Sequence, residues 1–340
     1  MKAAYLYGPR KLVIKDAPEP KIGPNEVLVR VKAIGICPSD LRYFTGSRAA
    51  DIIPLGEQSY GLTGHEWVGE IVEVGPGVDY LGVGDHVVPD FLIPCGKCKY
   101  CAKGMTNICV NKRYYIRGYA EYAKAYAPLT YKIPKNVPFE EACFTEPLSC
   151  VINANYLSGV QAGDDVVIIG AGPMGLLHLQ VFKLSGARVI STDLLDKRLE
   201  IAKRLGADVT INPAEEDPVK VVKDLTDGMG ADIVIVSVGN KKAIEQGLKL
   251  ACKAGKVIIF GGTYPPTEIS VDPNYIHYNQ IWVTGSFDHT AHTFRRAIKL
   301  IVEKRIKLRA LTSHILPLDE LEKGFSIVEN RQGLKVVITP

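Results

Sequence analysis

The sequence predicts an α/β protein of two domains: a mostly β first domain and a second domain built on a doubly wound parallel sheet. Three observations lead there. The chain has 340 residues, above the ~250–300 at which a single core stops growing. Up to about residue 150, short β-branched runs such as Val27 to Val31 and Gly69 to Val74 are separated by Gly and Pro turns roughly every ten positions. From Asp165 the rhythm changes to nearly continuous apolar runs alternating with helical patterns, as in a parallel sheet covered on both faces.

The expected strands of the second domain are Val166 to Ile169, Arg188 to Thr192, Asp208 to Ile211, Asp232 to Val236, Lys256 to Phe260 and Ile281 to Thr284. Between the second and third, Leu199, Ala202 and Leu205 form one helical stripe, and Gly206 is available to cap it. A strong helix is expected from His289 to about Glu303, and the run Lys335 to Ile338 is expected to return to the first domain. The boundaries read as 1–151 with 286–340, and 152–285.

Composition narrows the function classes. Hydrophobic residues make up 46% and charged residues 23%, which excludes disordered, collagenous and coiled-coil chains. Lys+Arg 41 against Asp+Glu 37 leaves +4, and no run of like charges concentrates it, so nucleic acid and membrane are not expected partners. The start Met1 to Tyr5 lacks a secretory pattern, and no stretch nears ~20 apolar residues, so a cytoplasmic protein is expected.

Three groups of residues carry chemistry. The first is Gly170-Ala171-Gly172-Pro173-Met174-Gly175, a G-x-G-x-x-G that follows a strand and opens a helix. Its glycines permit the tight turn and the close approach of a pyrophosphate to backbone N–H groups, as in a Rossmann domain. Asp193, 23 residues after Gly170, ends the next strand, where a carboxylate binds the ribose hydroxyls and repels a 2′-phosphate. NAD is therefore favoured over NADP, although Arg198 lies close in sequence. The second group is Cys95-x2-Cys98-x2-Cys101-x7-Cys109, a four-thiolate set suited to a closed structural zinc site. The third is dispersed: Cys37, the pair His65-Glu66, and Glu146. Each alone is ambiguous between a metal ligand and a packed or solvated residue.

In combination, Cys37-x-Ser39-Asp40, Gly64-His65-Glu66, Gly84-Asp85-His86-Val87, the four-cysteine loop, Glu146-Pro147 and Gly170 to Gly175 resemble the zinc-dependent medium-chain alcohol/polyol dehydrogenase family over essentially the whole chain. Within it, Tyr43 and Glu146-Pro147-Leu148-Ser149 are similar to the sorbitol (iditol) branch, with the threonine dehydrogenase branch close by. The resemblance implies a GroES-like catalytic domain beside the Rossmann domain, and two zinc ions per chain. By it, Cys37 and His65 hold the catalytic zinc, with Glu66 a ligand or outer partner and Glu146 binding or exchanging with a zinc-bound water. Ser39 relays the alcohol proton, and Val238 and Ser286 join the glycine loop, Asp193 and Arg198 in the cofactor site.

The family pattern has Gly after the zinc cysteine and His five positions beyond it, where this chain has Pro38 and Arg42. Arg42 reads either as a partner for a carboxylate or phosphate on the substrate or as a solvated surface arginine. Tyr43 reads as a polyol contact or as a core residue. Thr45 to Thr63 reads as a pocket-rim loop. Cys143, Cys150 and Cys252 read as packing residues, and His277, His289, His292 and His314 have no motif partner and read as structural or exposed.

The expected function is oxidation of a secondary hydroxyl of a polyol or sugar with NAD. Oxidation of L-threonine or a simple alcohol and a non-catalytic NAD-binding scaffold are the alternatives. A homotetramer or dimer is expected, with the Ile281 to Thr284 strand as the candidate edge.

Overall fold

The β-branched runs of the first part of the chain form a seven-stranded sheet. Its order is Thr312–Pro317, Lys335–Thr339, Glu26–Gly35, Glu66–Val74, His86–Pro89 and Thr130–Lys132, with Tyr122–Tyr126 also paired to Glu26–Gly35. The computed structural model describes residues 1–47 and 53–340. It divides into two units, 1–149 with 289–340, and 150–288. The junctions fall at 149/150 and 288/289, two or three residues from the sequence reading, because one helix, Thr145–Ser158, runs through the first of them.

In the first unit, Glu26–Gly35 is the central strand. One edge pairs along its length with Glu66–Val74; the other pairs with Tyr122–Tyr126 at its start and with Lys335–Thr339 at its end. The alternation of the sequence buries Val27, Val29, Val31, Ile34, Trp67, Ile71, Val336 and Ile338 in one core with Tyr119 and Phe325. Register shifts in the central pair lie between Leu28 and Val29 and between Val31 and Ala33, and such bulges re-aim the side chains that follow.

The second unit is a six-stranded parallel sheet in the order Val209–Ile211, Arg188–Thr192, Asp165–Ile169, Ala231–Val236, Ala251–Ile259 and Trp282–Gly285. This 3-2-1-4-5-6 order is that of the Rossmann fold. The fifth strand starts at Ala251, earlier than the expected Lys256. Ala251 reaches Ala231 across a register shift, so the strand has a leading segment that the apolar run does not mark. The helix expected from His289 begins at Ala291. Thr290 caps it by accepting from the Thr293 N–H, which leaves His289 outside the helix. Among the described residues no helix is long and apolar enough to cross a membrane.

Candidate active site

The central strand ends at Gly35, and Cys37 caps the helix Pro38–Thr45, with Pro38 supplying its first residue. Asp40, three residues on, accepts from the Cys37 backbone N–H (3.1 Å). Asp40 is fully buried and also accepts from Thr63 Oγ1 (2.6 Å) and the Tyr119 hydroxyl (2.8 Å). Burial pushes its pKa up, but His65 and these donors outweigh that and hold it below the usual carboxylate range.

His65 sits just before the strand Glu66–Val74. Its Nδ1 lies 3.4 Å from Asp40 Oδ1 and 2.9 Å from the Thr63 carbonyl. Both neighbours are acceptors, so Nδ1 carries a proton; burial opposes charge on the ring, but Asp40 and a side-chain hydrogen bond with Cys37 outweigh it and raise the pKa. A metal bound through Nε2 would take the place of the proton there, with Nδ1–H held by its acceptors as is typical of a metal-binding histidine. Ligand atoms of Cys37, His65 and Glu66 lie within 4.8 Å of one another. A thiolate, an imidazole and a carboxylate fit zinc, with room for an open fourth position.

Glu66 is buried and forms an ion pair with buried Lys335, whose Nζ also donates to the Ile36 carbonyl (3.1 Å). Burial opposes the charge on Lys335, but Glu66 and Cys37 outweigh it and raise its pKa. Gly35 makes room for the pair: a Cβ there would lie 2.2 Å from Glu66 Oε2 and 2.5 Å from Lys335 Cε.

Glu146, in the first turn of its helix, is not part of the Cys37–His65–Glu66 cluster. Its Oε1 lies 3.8 Å from His289 Nδ1, and His289 Nε2 is 2.9 Å from Asp90 Oδ1. The Phe91 ring is 5.1 Å from that of His65 and 5.6 Å from that of His289.

The positions named for substrate separate. Tyr43 is buried in the core and its hydroxyl donates to the Ile53 carbonyl (3.0 Å). In this position it packs as the core residue of the two readings. Ser39 and Arg42 are half-buried on the helix that Cys37 caps. Residues 48–52 of the expected rim loop lie outside the described residues.

Cys95, Cys98, Cys101 and Cys109 converge within 4.8 Å. Cys109 Sγ accepts from the N–H groups of Cys95 (3.3 Å) and Asn111 (3.4 Å). Backbone N–H groups of Cys101 and Val110 pull Cys98 down to about 6, while burial and the neighbouring thiols push Cys101 up to about 12; a closed zinc site would require all four as thiolates.

In the second unit, Gly170 has φ 100°, and a Cβ on Gly175 would lie 1.7 Å from the Gly170 carbonyl oxygen. Only glycine lets the helix Pro173–Leu184 start this close to the turn. Gly172 caps that helix without a side-chain bond, leaving its first N–H groups open to a phosphate. Asp193 accepts from the N–H groups of Ala171 (2.8 Å) and Leu195 (2.9 Å), and Arg198 Nη1 lies 3.8 Å from it. Val238 packs where a Gly170 side chain would be, and Ser286 Oγ is buried without a hydrogen-bond partner. The loop fits a dinucleotide.

Thr63, Tyr119, Lys335, Asp90 and His289 belong to no motif in the sequence, and Asp40 enters only as a member of one. The Cys37-to-Asp40 spacing, that of a capping box, is the one local signal among them.

The matches with known proteins agree with this geometry. Residues 23–135 match the family model of the alcohol dehydrogenase GroES-like domain, and residues 173–303 that of zinc-binding dehydrogenase. The chain belongs to the zinc-dependent medium-chain alcohol/polyol dehydrogenase family and is an oxidoreductase acting on CH–OH groups. It is 39% identical to L-threonine 3-dehydrogenase of Pyrococcus abyssi (strain GE5 / Orsay), over 99% of this chain and 97% of that one. It is 32% identical to sorbitol dehydrogenase of Bacillus subtilis (strain 168), over 100% of this chain and 97% of that one. A proposed zinc-binding dehydrogenase of Sinorhizobium meliloti 1021, solved bound to NADP, superposes with a TM-score of 0.92 at 30% identity, covering 100% of this chain and 99% of that one.

Proposed function

We propose that the chain is a zinc- and NAD-dependent dehydrogenase that oxidises a secondary hydroxyl of a polyol or sugar to the ketone. The observation that carries this reading is the Cys37–His65–Glu66 cluster, with His65 Nδ1 committed to Asp40 and Thr63, so that a metal would be bound through Nε2. Zinc there supplies Lewis acidity that favours ionisation of the alcohol, and NAD supplies the hydride acceptor. Asp40 fixes the His65 ring. Ser39, two residues from Cys37, takes the alcohol proton outward. Lys335 balances the charge of Glu66, which completes the donor set with Cys37 and His65. Asp193 supports NAD, since its carboxylate repels a 2′-phosphate; Arg198 beside it is the group through which NADP would bind.

L-Threonine is the second reading. It is favoured by 39% identity to the Pyrococcus enzyme against 32% to the sorbitol enzyme. A panel of polyols, sugars and L-threonine with NAD or NADP, followed at the NADH absorbance, separates the two. Metal analysis belongs beside it: two zinc ions per chain are expected, and one in Cys37→Ser. Silence of the panel together with one zinc in the wild type would sink the reading. We also infer a homo-oligomer paired through the edge strand Trp282–Gly285, whose Trp282 and Val283 are exposed. A monomer by light scattering would refute that.

A further inference from the structure

His289 is fully buried and held on several sides. Its Nε2 meets Asp90 Oδ1 at 2.9 Å, and its ring packs 5.6 Å from Phe91 and 5.2 Å from Phe294. Asp90 is itself fixed: its Oδ1 also accepts from the Leu92 N–H (2.9 Å), and its own N–H donates to the Leu129 carbonyl (2.8 Å). An imidazole so anchored has one orientation, which directs Nδ1 at Glu146, 3.8 Å away; set between two carboxylates, the ring holds both by donating from both nitrogens. A separation of 3.8 Å closes by a small rotamer change or through one water. Glu146 is meanwhile absent from the Cys37–His65–Glu66 cluster, to which the resemblance assigns it.

We propose that Asp90 and His289 are positioning residues that hold Glu146 at a station off the Cys37–His65–Glu66 donors, so that this carboxylate does not permanently occupy the open metal position. The proposal rests on the reading that Cys37 and His65 hold a metal. Its logic is competition. A catalytic zinc keeps one position free, and a second carboxylate seated there as the fourth ligand makes the site resemble a closed structural one. A second partner for Glu146 draws it away, leaving that position to the hydroxyl. Ordinary loss of an outer-shell partner weakens metal binding or activity by about 10–100-fold. Loss of a station that competes for a ligand does the opposite to metal retention.

The sign of the effect is therefore the test. The zinc-loaded full chain is challenged with a chelator, and loss of the Cys37-dependent zinc is timed in wild type, His289→Gln, Glu146→Gln and the double variant. The expected result is zinc loss slowed about tenfold in His289→Gln, with KM for the alcohol raised, and no slowing when Glu146 is also Gln. Asp90→Asn keeps an acceptor facing His289 Nε2 and nearly the same volume. It is expected to move the rate in the same direction by less, and it serves if His289→Gln does not fold. Zinc loss that is unchanged or faster in the folded variants, or slowed equally in the Glu146→Gln background, would overturn the proposal. A wild type with no Cys37-dependent zinc would instead overturn the functional reading on which it stands.

Discussion

Lys335 and Glu66 are each buried and each other's counter-charge. Removing one member of such a pair leaves an uncompensated charge in the core, which typically costs about 3–5 kcal/mol, whereas replacing both is far milder. Lys335→Met is therefore expected to lower the urea midpoint of the first unit sharply, and Lys335→Met with Glu66→Gln to recover most of the loss. No recovery would mean that Lys335 acts by packing alone. His178 makes the opposite case, a titratable group with no partner. Both its ring nitrogens are buried and unbonded, and burial pushes its pKa from 6.5 down to about 3. Between those values the unfolded chain binds a proton that the folded chain refuses. Stability is thus full above about pH 6.5 and falls as the pH drops toward 3, by about 1.4 kcal/mol per unit within that window. His178→Leu should flatten the fall in thermal midpoint of the second unit between pH 7 and pH 5; an unaltered slope would refute it. Residues of this kind divide by legibility. The four-cysteine loop announces itself by its short spacing, whereas Cys37 and His65 are dispersed and are legible only through the family resemblance. His289 meets Asp90 across 199 residues and Lys335 meets Ile36 across 299, and no local pattern encodes either contact.

Elements were more legible than contacts, because periodicity is a local property. All six strands of the second unit follow apolar runs, and the departures occur where a cap or register shift decides the boundary, as at Thr290 and Ala251. The glycine loop shows how strict such a junction is. A methyl on Gly175 would meet the Gly170 carbonyl oxygen at 1.7 Å, so the helix must move away from the turn. Gly175→Ala is expected to weaken dinucleotide binding by about tenfold or more, ~1.4 kcal/mol, while leaving zinc content unaltered. Titration by NADH fluorescence beside metal analysis checks both halves, and wild-type affinity in the variant would show that the loop does not grip the cofactor. The helix that Cys37 caps is the counterpart in the first unit. It orders the metal ligand through Asp40, whose carboxylate serves the cap and the His65 ring together. That dual use is not readable from the sequence, where Asp40 is only one member of the Cys37-x-Ser39-Asp40 motif.

For the whole molecule, connectivity matters more than any single contact. The second unit is one continuous segment, 150–288, with its own core around Val167, Val234 and Val257. Expressed alone, that segment is expected to fold cooperatively and to bind NADH; an unfolded segment would mean that the first unit is required for its stability. The first unit is discontinuous. Its central strand Glu26–Gly35 is flanked at its end by Lys335–Thr339, which carries the cation that Glu66 needs. In a translating ribosome, 299 residues separate Ile36 from Lys335, roughly 15–60 s of synthesis at ~5–20 residues per second. Cys37, His65 and Glu66 emerge early, yet the charge that balances them arrives with the last strand. A chain that stops short of the last strand has Cys37, His65 and Glu66 but lacks the Lys335 ammonium that pairs with Glu66. The final strand is thus the keystone of this part of the first unit: until it docks beside Glu26–Gly35, the buried Glu66 carboxylate has no counter-charge.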